Sequence, residues 1–189
     1  MSELTALLDA CVLYPAPVRD LLIETAGTSL YCARWTDDIH EEWIRNVLAN
    51  NRAATPQALA RTRELMNLAV PDALVTGYQS LIPTLTLPDP NDRHVLAAAI
   101  VSRADVIVTS NLKHFPKDVL SRHGIDAQHP DEFLMHQRDL NHDRFIECAK
   151  RIRGRLRNPL LSADEYIDRL RKCQLVLVGD ALHAARSLI

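Results

Sequence analysis

Two short apolar runs constrain the fold of this chain more than any other feature. LTALLD, Leu4 to Asp9, and ADVIVTS, Ala104 to Ser110, place aliphatic residues at consecutive positions, and each stops at a polar residue. Apolar runs without alternation belong to strands buried on both faces, as in parallel sheets covered by helices. The segments between them have helical spacing. Val18 to Ala26 turns Leu21, Leu22 and Ala26 inward before Gly27, Trp35 to Asn50 is a stronger signal, and Thr55 to Leu68 has Pro56 at its first position. Asp72 to Leu87 mixes a short strand, Ala73 to Thr76, with a helical turn near Tyr78 to Leu81. Asp89 to Arg103 is again helical, with Val95, Leu96, Ala99 and Ile100 as its apolar positions. Strand, helix, strand in this order predicts an α/β fold around a parallel sheet. Ligands of such folds bind beyond the carboxyl ends of the strands, where Asp9 and Thr109 to Asn111 stand.

Beyond Asp126 the pattern is purely helical, over Pro130 to Gln137, His142 to Arg153 and Ser162 to Cys173. This predicts a domain over 1–129 and a helical C-terminal extension over 130–189. The first part holds 11 basic and 15 acidic side chains, the second 11 and 9. Lys150, Arg151, Arg153, Arg155 and Arg157 form the densest basic run, either a solvated helix face or a surface for phosphates or a partner. A net charge of -2 and a pI near 6.4 exclude a bulk basic field that would draw the whole protein onto nucleic acid or an anionic membrane. The four cysteines, Cys11, Cys32, Cys148 and Cys173, are widely spaced and form no metal-binding pattern. No leader or membrane-span pattern is present, so the expectation is a soluble cytoplasmic protein with no membrane association.

Several carboxylates can carry chemistry. Asp9 ends a buried strand, where an acid needs donors or a cation, although an Asx turn is also open to it. On a helix from Trp35 the apolar face centres near Ile39; Glu42 falls about 60° from that centre and Glu41 about 160° away, facing solvent. Asp38, one turn earlier, is a candidate supporting partner, whereas Asp37 is explained by the helix dipole. Asp89 followed by Pro90 reads as a helix cap, which puts Asp92 at the third helical position, where it can fold back as in a capping box. Asp92 goes beyond capping only if Asp9 and Glu42 converge on it, because crowded carboxylates must recruit a cation or protonate. Asn111, beyond the second strand, is a further oxygen donor that Thr109 and Ser110 can orient. No histidine arrangement suggests zinc, and an oxygen-rich set points to Mg²⁺ or Mn²⁺.

With these residues in place, the sequence resembles the PIN-domain family, and in particular its VapC-type toxins. The likeness covers Leu4 to Asp126 in four blocks: LLDACVLYP with Asp9, IHEEWIRN with Glu42, PDPNDRHVLAAAI with Asp92, and DVIVTSNLKHFP with Thr109 and Asn111. It implies an α/β/α sandwich and a metal-dependent endoribonuclease. Asp9, Glu42 and Asp92 would hold Mg²⁺ or Mn²⁺, and Asn111 stands where many members have aspartate. It further implies an RNA substrate such as tRNA or rRNA, a cognate antitoxin and a homodimer, supported by apolar residues of Thr55 to Leu68 and near Ala26. Arg93, Lys113 and His114 are the expected rim cations, and Trp35 and Trp43 are expected in the core. Two alternatives remain. A haloacid-dehalogenase-like phosphotransferase needs a second aspartate where Cys11 stands, and a catalytically silent RNA- or protein-binding adaptor gains weight from Asn111.

Overall fold

The structure is a computed structural model that describes residues 4–189. Four strands, β1 (Thr5–Leu8), β2 (Cys32–Arg34), β3 (Val106–Val108) and β4 (Asp126–Gln128), form an all-parallel sheet in the order β2-β1-β3-β4. The sheet is thus built outward from β1 in both directions, and its topological switch point lies between β1 and β3. Two further hydrogen bonds carry the ladder past the strand ends, from Asp9 N to Val108 O at 3.1 Å and from Thr109 N to Gln128 O at 3.0 Å. Asp9 and Thr109 are therefore fixed side by side at the carboxyl edge.

Helices follow in chain order: α1 (Ala10–Leu13), α2 (Ala16–Gly27), α3 (Asp37–Asn50), α4 (Pro56–Ala69), α5 (Arg93–Val101) and α6 (Lys117–Leu120). Thr36 and Thr55 cap α3 and α4 through their hydroxyls, accepting from Ile39 N and Ala58 N. Trp35 lies outside α3, pairing in an isolated parallel bridge with Leu74, so the strand expected over Ala73 to Thr76 shrinks to that bridge. The helix expected from Asp89 begins instead as a 3-10 turn over Pro90–Asp92, and the α-helix proper starts at Arg93. β2 and β4, each of three residues, were not anticipated, being too short for a periodic signal.

Trp35, Ile39 and Trp43 are fully buried, as expected. Behind α3, Trp43 Nε1 donates to His40 Nδ1 at 3.0 Å, His40 Nε2 meets Asn67 Oδ1 at 3.2 Å, and Trp35 Nε1 donates to that same oxygen at 2.8 Å. With Nδ1 accepting, Nε2 carries the ring proton, so His40 is the neutral tautomer. Burial lowers its pKa to about 4.

The extension folds as α7 (Pro130–Leu140), α8 (His142–Arg155), α9 (Ala163–Lys172) and α10 (Val176–Ala184), the last beyond the helices expected. It shares one apolar core with the rest of the chain. Phe133 meets Tyr31 edge to face at 4.8 Å, and Arg144 donates to Thr28 O at 3.0 Å. Asp131 caps α10 from a distance, its two oxygens accepting from Leu177 N and Val178 N at 2.8 and 2.9 Å. The basic run has mostly structural partners. Arg151 and Arg155 both pair with Glu24 of α2, Arg151 also pairs with Glu147, and Arg153 donates to Leu161 O and Ile189 O. Among the described residues no helix is long and apolar enough to cross a membrane.

Candidate functional site

A polar cleft of about 540 Å³ opens at the carboxyl edge of the sheet, walled by α3, the turn before α5 and the loop after β3. Asp38, Glu42, Asp89, Asp92, Asn111 and His114 all line it. A larger groove of about 610 Å³ lies between α2, α4 and α8, but its two acids are already paired, Asp20 with Arg19 and Glu24 with Arg151 and Arg155. The smaller cleft is where charge is left uncompensated.

Asp9 follows β1 at the same edge of the sheet but is buried, only 3% exposed, and is not part of the cleft's lining. It is the residue before α1, yet its side chain makes no capping bond. Instead its Oδ2 accepts from Thr109 Oγ1 at 2.7 Å and from Cys11 Sγ at 3.1 Å. Burial pushes its pKa up, the hydrogen bonds from Thr109 and Cys11 oppose this, and the charge of Glu42 raises it further. The Cys11 thiol is pushed up to about 12, by burial first and by the Asp9 charge second, so it is a protonated donor.

Glu42 is half-buried at the edge of the α3 stripe with Glu41 exposed, as the helix geometry predicts. Its Oε2 lies 3.5 Å from His94 Nε2. Asp38 accepts from Tyr78 Oη at 2.7 Å, which ties the start of α3 to the loop before α5.

The capping-box reading of Asp92 does not hold. Asp92 is itself the N-cap of α5 and its side chain makes no cap hydrogen bond. Its Oδ2 pairs with His114 Nδ1 at 2.8 Å, while Asp89 performs the local capping by accepting from Asn91 N at 2.9 Å. The Asp92 pKa is raised, by burial most and also by the charges of Asp9 and Asp89, with the His114 hydrogen bond working the other way. Asn111 lines the wall, and its backbone N–H donates to Thr109 Oγ1 at 3.0 Å.

Glu42 and Asp92 thus line one cleft, and the buried Asp9 is coupled to both, Glu42 raising the pKa of Asp9 and Asp9 that of Asp92, each after burial. The tightest potential ligand group is a different one: Asp89, Asp92 and His114 offer atoms all within 4.8 Å of one another. From the sequence Asp89 is expected as a cap and His114 as a rim cation, and nothing local signals that a histidine 22 residues downstream meets Asp92. Arg45, which also went unnoticed, lines the cleft, whereas Arg93 and Lys113 do not. Its signal was its position one turn after Glu41 and Glu42.

Among the described residues no lysine or arginine forms an ion pair with Asp9, Glu42, Asp89 or Asp92. Carboxylates drawn together without an ion-paired lysine or arginine, two of which, Asp9 and Asp92, are raised in pKa by burial and then by a neighbouring acid, are the electrostatic state that a bound divalent ion relieves. The donors are carboxylate oxygens with one carboxamide and one imidazole, a set that suits Mg²⁺ or Mn²⁺.

Comparison with known proteins agrees with this geometry. Residues 4–113 match the family model described as PIN domain, and residues 130–184 match the VapC50 C-terminal domain. A curated relative from Mycobacterium tuberculosis (strain ATCC 25618 / H37Rv), named "Putative ribonuclease VapC50", is 44% identical over 125 residues, covering 64% of this chain and 67% of the relative. No solved structure matches the chain. With a parallel sheet, acids gathered at its carboxyl edge and these matches over most of its length, the chain belongs to the PIN-domain family, as a member of VapC type.

Proposed function

We propose that this chain is a divalent-metal-dependent endoribonuclease, the toxin of a toxin-antitoxin pair, which holds Mg²⁺ or Mn²⁺ through Asp9, Glu42 and Asp92. The ribonuclease toxin assignment follows from the family and from the relative named as a ribonuclease. The observation that supports metal dependence is the cleft wall itself, where acids from separate segments converge with no permanent cation paired to them.

When bound, the ion would supply Lewis acidity to a scissile phosphate and lower the pKa of an attacking water. The chain's own groups do the rest. Thr109 and Cys11 hold Asp9 by one oxygen. His114 Nδ1 fixes Asp92 by Oδ2. Glu42, the least buried of the three, would take the proton of the water at a carboxylate oxygen, with His94 beside it. Arg45 provides a guanidinium on the wall for a backbone phosphate of the RNA. Asn111 carries no charge where an aspartate would add one, so a single ion with an amide oxygen beside it is the favoured loading.

A cognate antitoxin would cover this cleft and neutralise its acids. Leu65 and Leu68 of α4, 50% and 70% exposed, are the apolar residues available to a second copy, whereas Ala26 is buried. A structured RNA such as tRNA or rRNA is the proposed target, and the cytoplasm the proposed location.

Purified protein freed of antitoxin should cut total cellular RNA into discrete fragments with Mn²⁺ or Mg²⁺, and not with EDTA or as Asp9→Asn. Intact RNA after incubation with folded, metal-supplied protein would refute nuclease chemistry and favour the RNA- or protein-binding adaptor.

A further inference from the structure

We propose that Cys11 is a positioning residue of the nuclease site, one of two side chains that aim the Asp9 carboxylate. This rests on the nuclease reading above. Cys11 lies in α1, and its Sγ donates to Asp9 Oδ2 at 3.1 Å while accepting from Ser110 N at 3.3 Å. Thr109 does the same in parallel: its Oγ1 donates to Asp9 Oδ2 at 2.7 Å while accepting from Asn111 N at 3.0 Å. Sγ and Oγ1 are themselves 3.4 Å apart. Two relays therefore run from successive backbone N–H groups of the turn after β3, through one side chain each, onto the same oxygen of the same acid. Both side chains receive a hydrogen bond at their acceptor lone pairs, which directs their protons at Asp9.

The consequence is geometric. With Oδ2 committed to two protein donors, the carboxylate cannot rotate about its Cβ–Cγ bond without breaking both, so its remaining oxygen keeps one direction. The same relays tie Asp9 to the turn that carries Asn111, so the buried acid and the donor on the wall move together. Thr109 alone would leave a hinge, because one hydrogen bond permits rotation about its own axis and a second from a different direction removes it. A thiol is a weaker donor than a hydroxyl, so a hydroxyl at this position can take over the same hydrogen bond. Supporting groups of this kind, which touch a ligand and not the ion, typically alter metal affinity or activity by about 10- to 100-fold when removed.

The test compares wild type, Cys11→Ala, Cys11→Val and Cys11→Ser by two readouts: Mn²⁺ binding from the spin-resonance signal of free Mn²⁺, and kcat and KM for RNA cleavage. Cys11→Ala and Cys11→Val, which keep an apolar side chain but remove the donor, should lose roughly tenfold or more in both Mn²⁺ affinity and kcat, with KM for RNA little changed. Cys11→Ser restores the donor and should recover both to within about threefold of wild type, the outcome that separates hydrogen bonding from packing. Should Cys11→Ala not fold, Cys11→Val and Cys11→Ser still carry the comparison. Wild-type Mn²⁺ affinity and kcat in Cys11→Val, or equal losses in Cys11→Ser and Cys11→Val, would overturn the assignment. A wild-type protein that neither binds Mn²⁺ nor cuts RNA would instead refute the nuclease reading and take this inference with it.

Discussion

The basic run of α8 and the acids of the cleft are opposites in both sequence and structure. In sequence the cations are packed into a few residues from Lys150 to Arg157, while the acids are scattered at Asp9, Glu42, Asp89 and Asp92. In the fold the order reverses. Arg151, Arg153 and Arg155 are each tied to the chain itself: Arg151 and Arg155 hold the extension against α2 through Glu24, and Arg153 binds two backbone carbonyls within the extension. Glu42, Asp89 and Asp92 meet in one cleft, coupled by charge to the buried Asp9, and among the described residues no lysine or arginine is ion-paired with any of them, Arg45 being the one arginine on the wall. Density of charge along a chain says little about function, because neighbours in sequence find partners cheaply across a surface. Charge that the fold gathers and leaves uncompensated costs stability, and it persists where a ligand supplies the balance.

The sharpest way to break this comparison is to neutralise one acid. Asp92→Asn should lose roughly 10³-fold in kcat/KM, about 4 kcal/mol of transition-state stabilisation. In EDTA the same variant should melt higher than wild type. The carboxyl pKa of Asp92 is raised in the fold, so its contribution to stability is full only below the unfolded carboxylate pKa and is lost as pH rises through the folded value. At neutral pH a neutral amide therefore relieves the fold, and no capping bond is lost with it. A lower melting temperature in EDTA would contradict the claim of uncompensated charge.

His40 provides a second contrast, a buried titratable group that is fully satisfied. Its pKa is lowered from 6.5 to about 4 by burial, so the unfolded chain takes up a proton that the folded chain refuses. Its contribution is complete above pH 6.5 and is lost as pH falls toward 4, a change of up to about 3 kcal/mol in urea-unfolding free energy. This slope should be absent in His40→Gln.

Smaller still is the effect of breaking the latch on α2. Glu24→Ala removes the partner of Arg151 and Arg155, whose guanidiniums are largely exposed, and should cost about 1 kcal/mol of stability while leaving RNA cleavage within about twofold. A large fall in cleavage with Arg155→Ala would instead make α8 an RNA surface. Glu41→Gln, exposed on the cleft wall and outside the proposed ligand set, should lower cleavage less than Glu42→Gln.

The parts legible in the sequence were those where local pattern and tertiary role agree. The β1 and β3 runs, the stripe of α3 that buries Ile39 and Trp43, and the offset of Glu42 from Glu41 follow from periodicity alone. The parts that were not legible depend on distant partners. α10 lacks a side-chain cap of its own because Asp131 caps it from 46 residues upstream, so no start signal precedes it. Asp92 sits where local rules call for capping, yet its partner is His114 and the capping falls to Asp89. Cys11 was notable in the sequence for not being an aspartate, and only the register of β1 against β3 brings it onto Asp9 and Thr109.

The most direct test of the central claim is to titrate Mn²⁺ into the antitoxin-free protein at neutral pH and follow the free ion, with Asp92→Asn and Glu41→Gln beside it. The account predicts saturable binding by wild type and Glu41→Gln, and loss of that binding in Asp92→Asn. Binding that survives in folded Asp92→Asn, or no binding to wild type, would mean that the gathered acids of the cleft are not held for a metal.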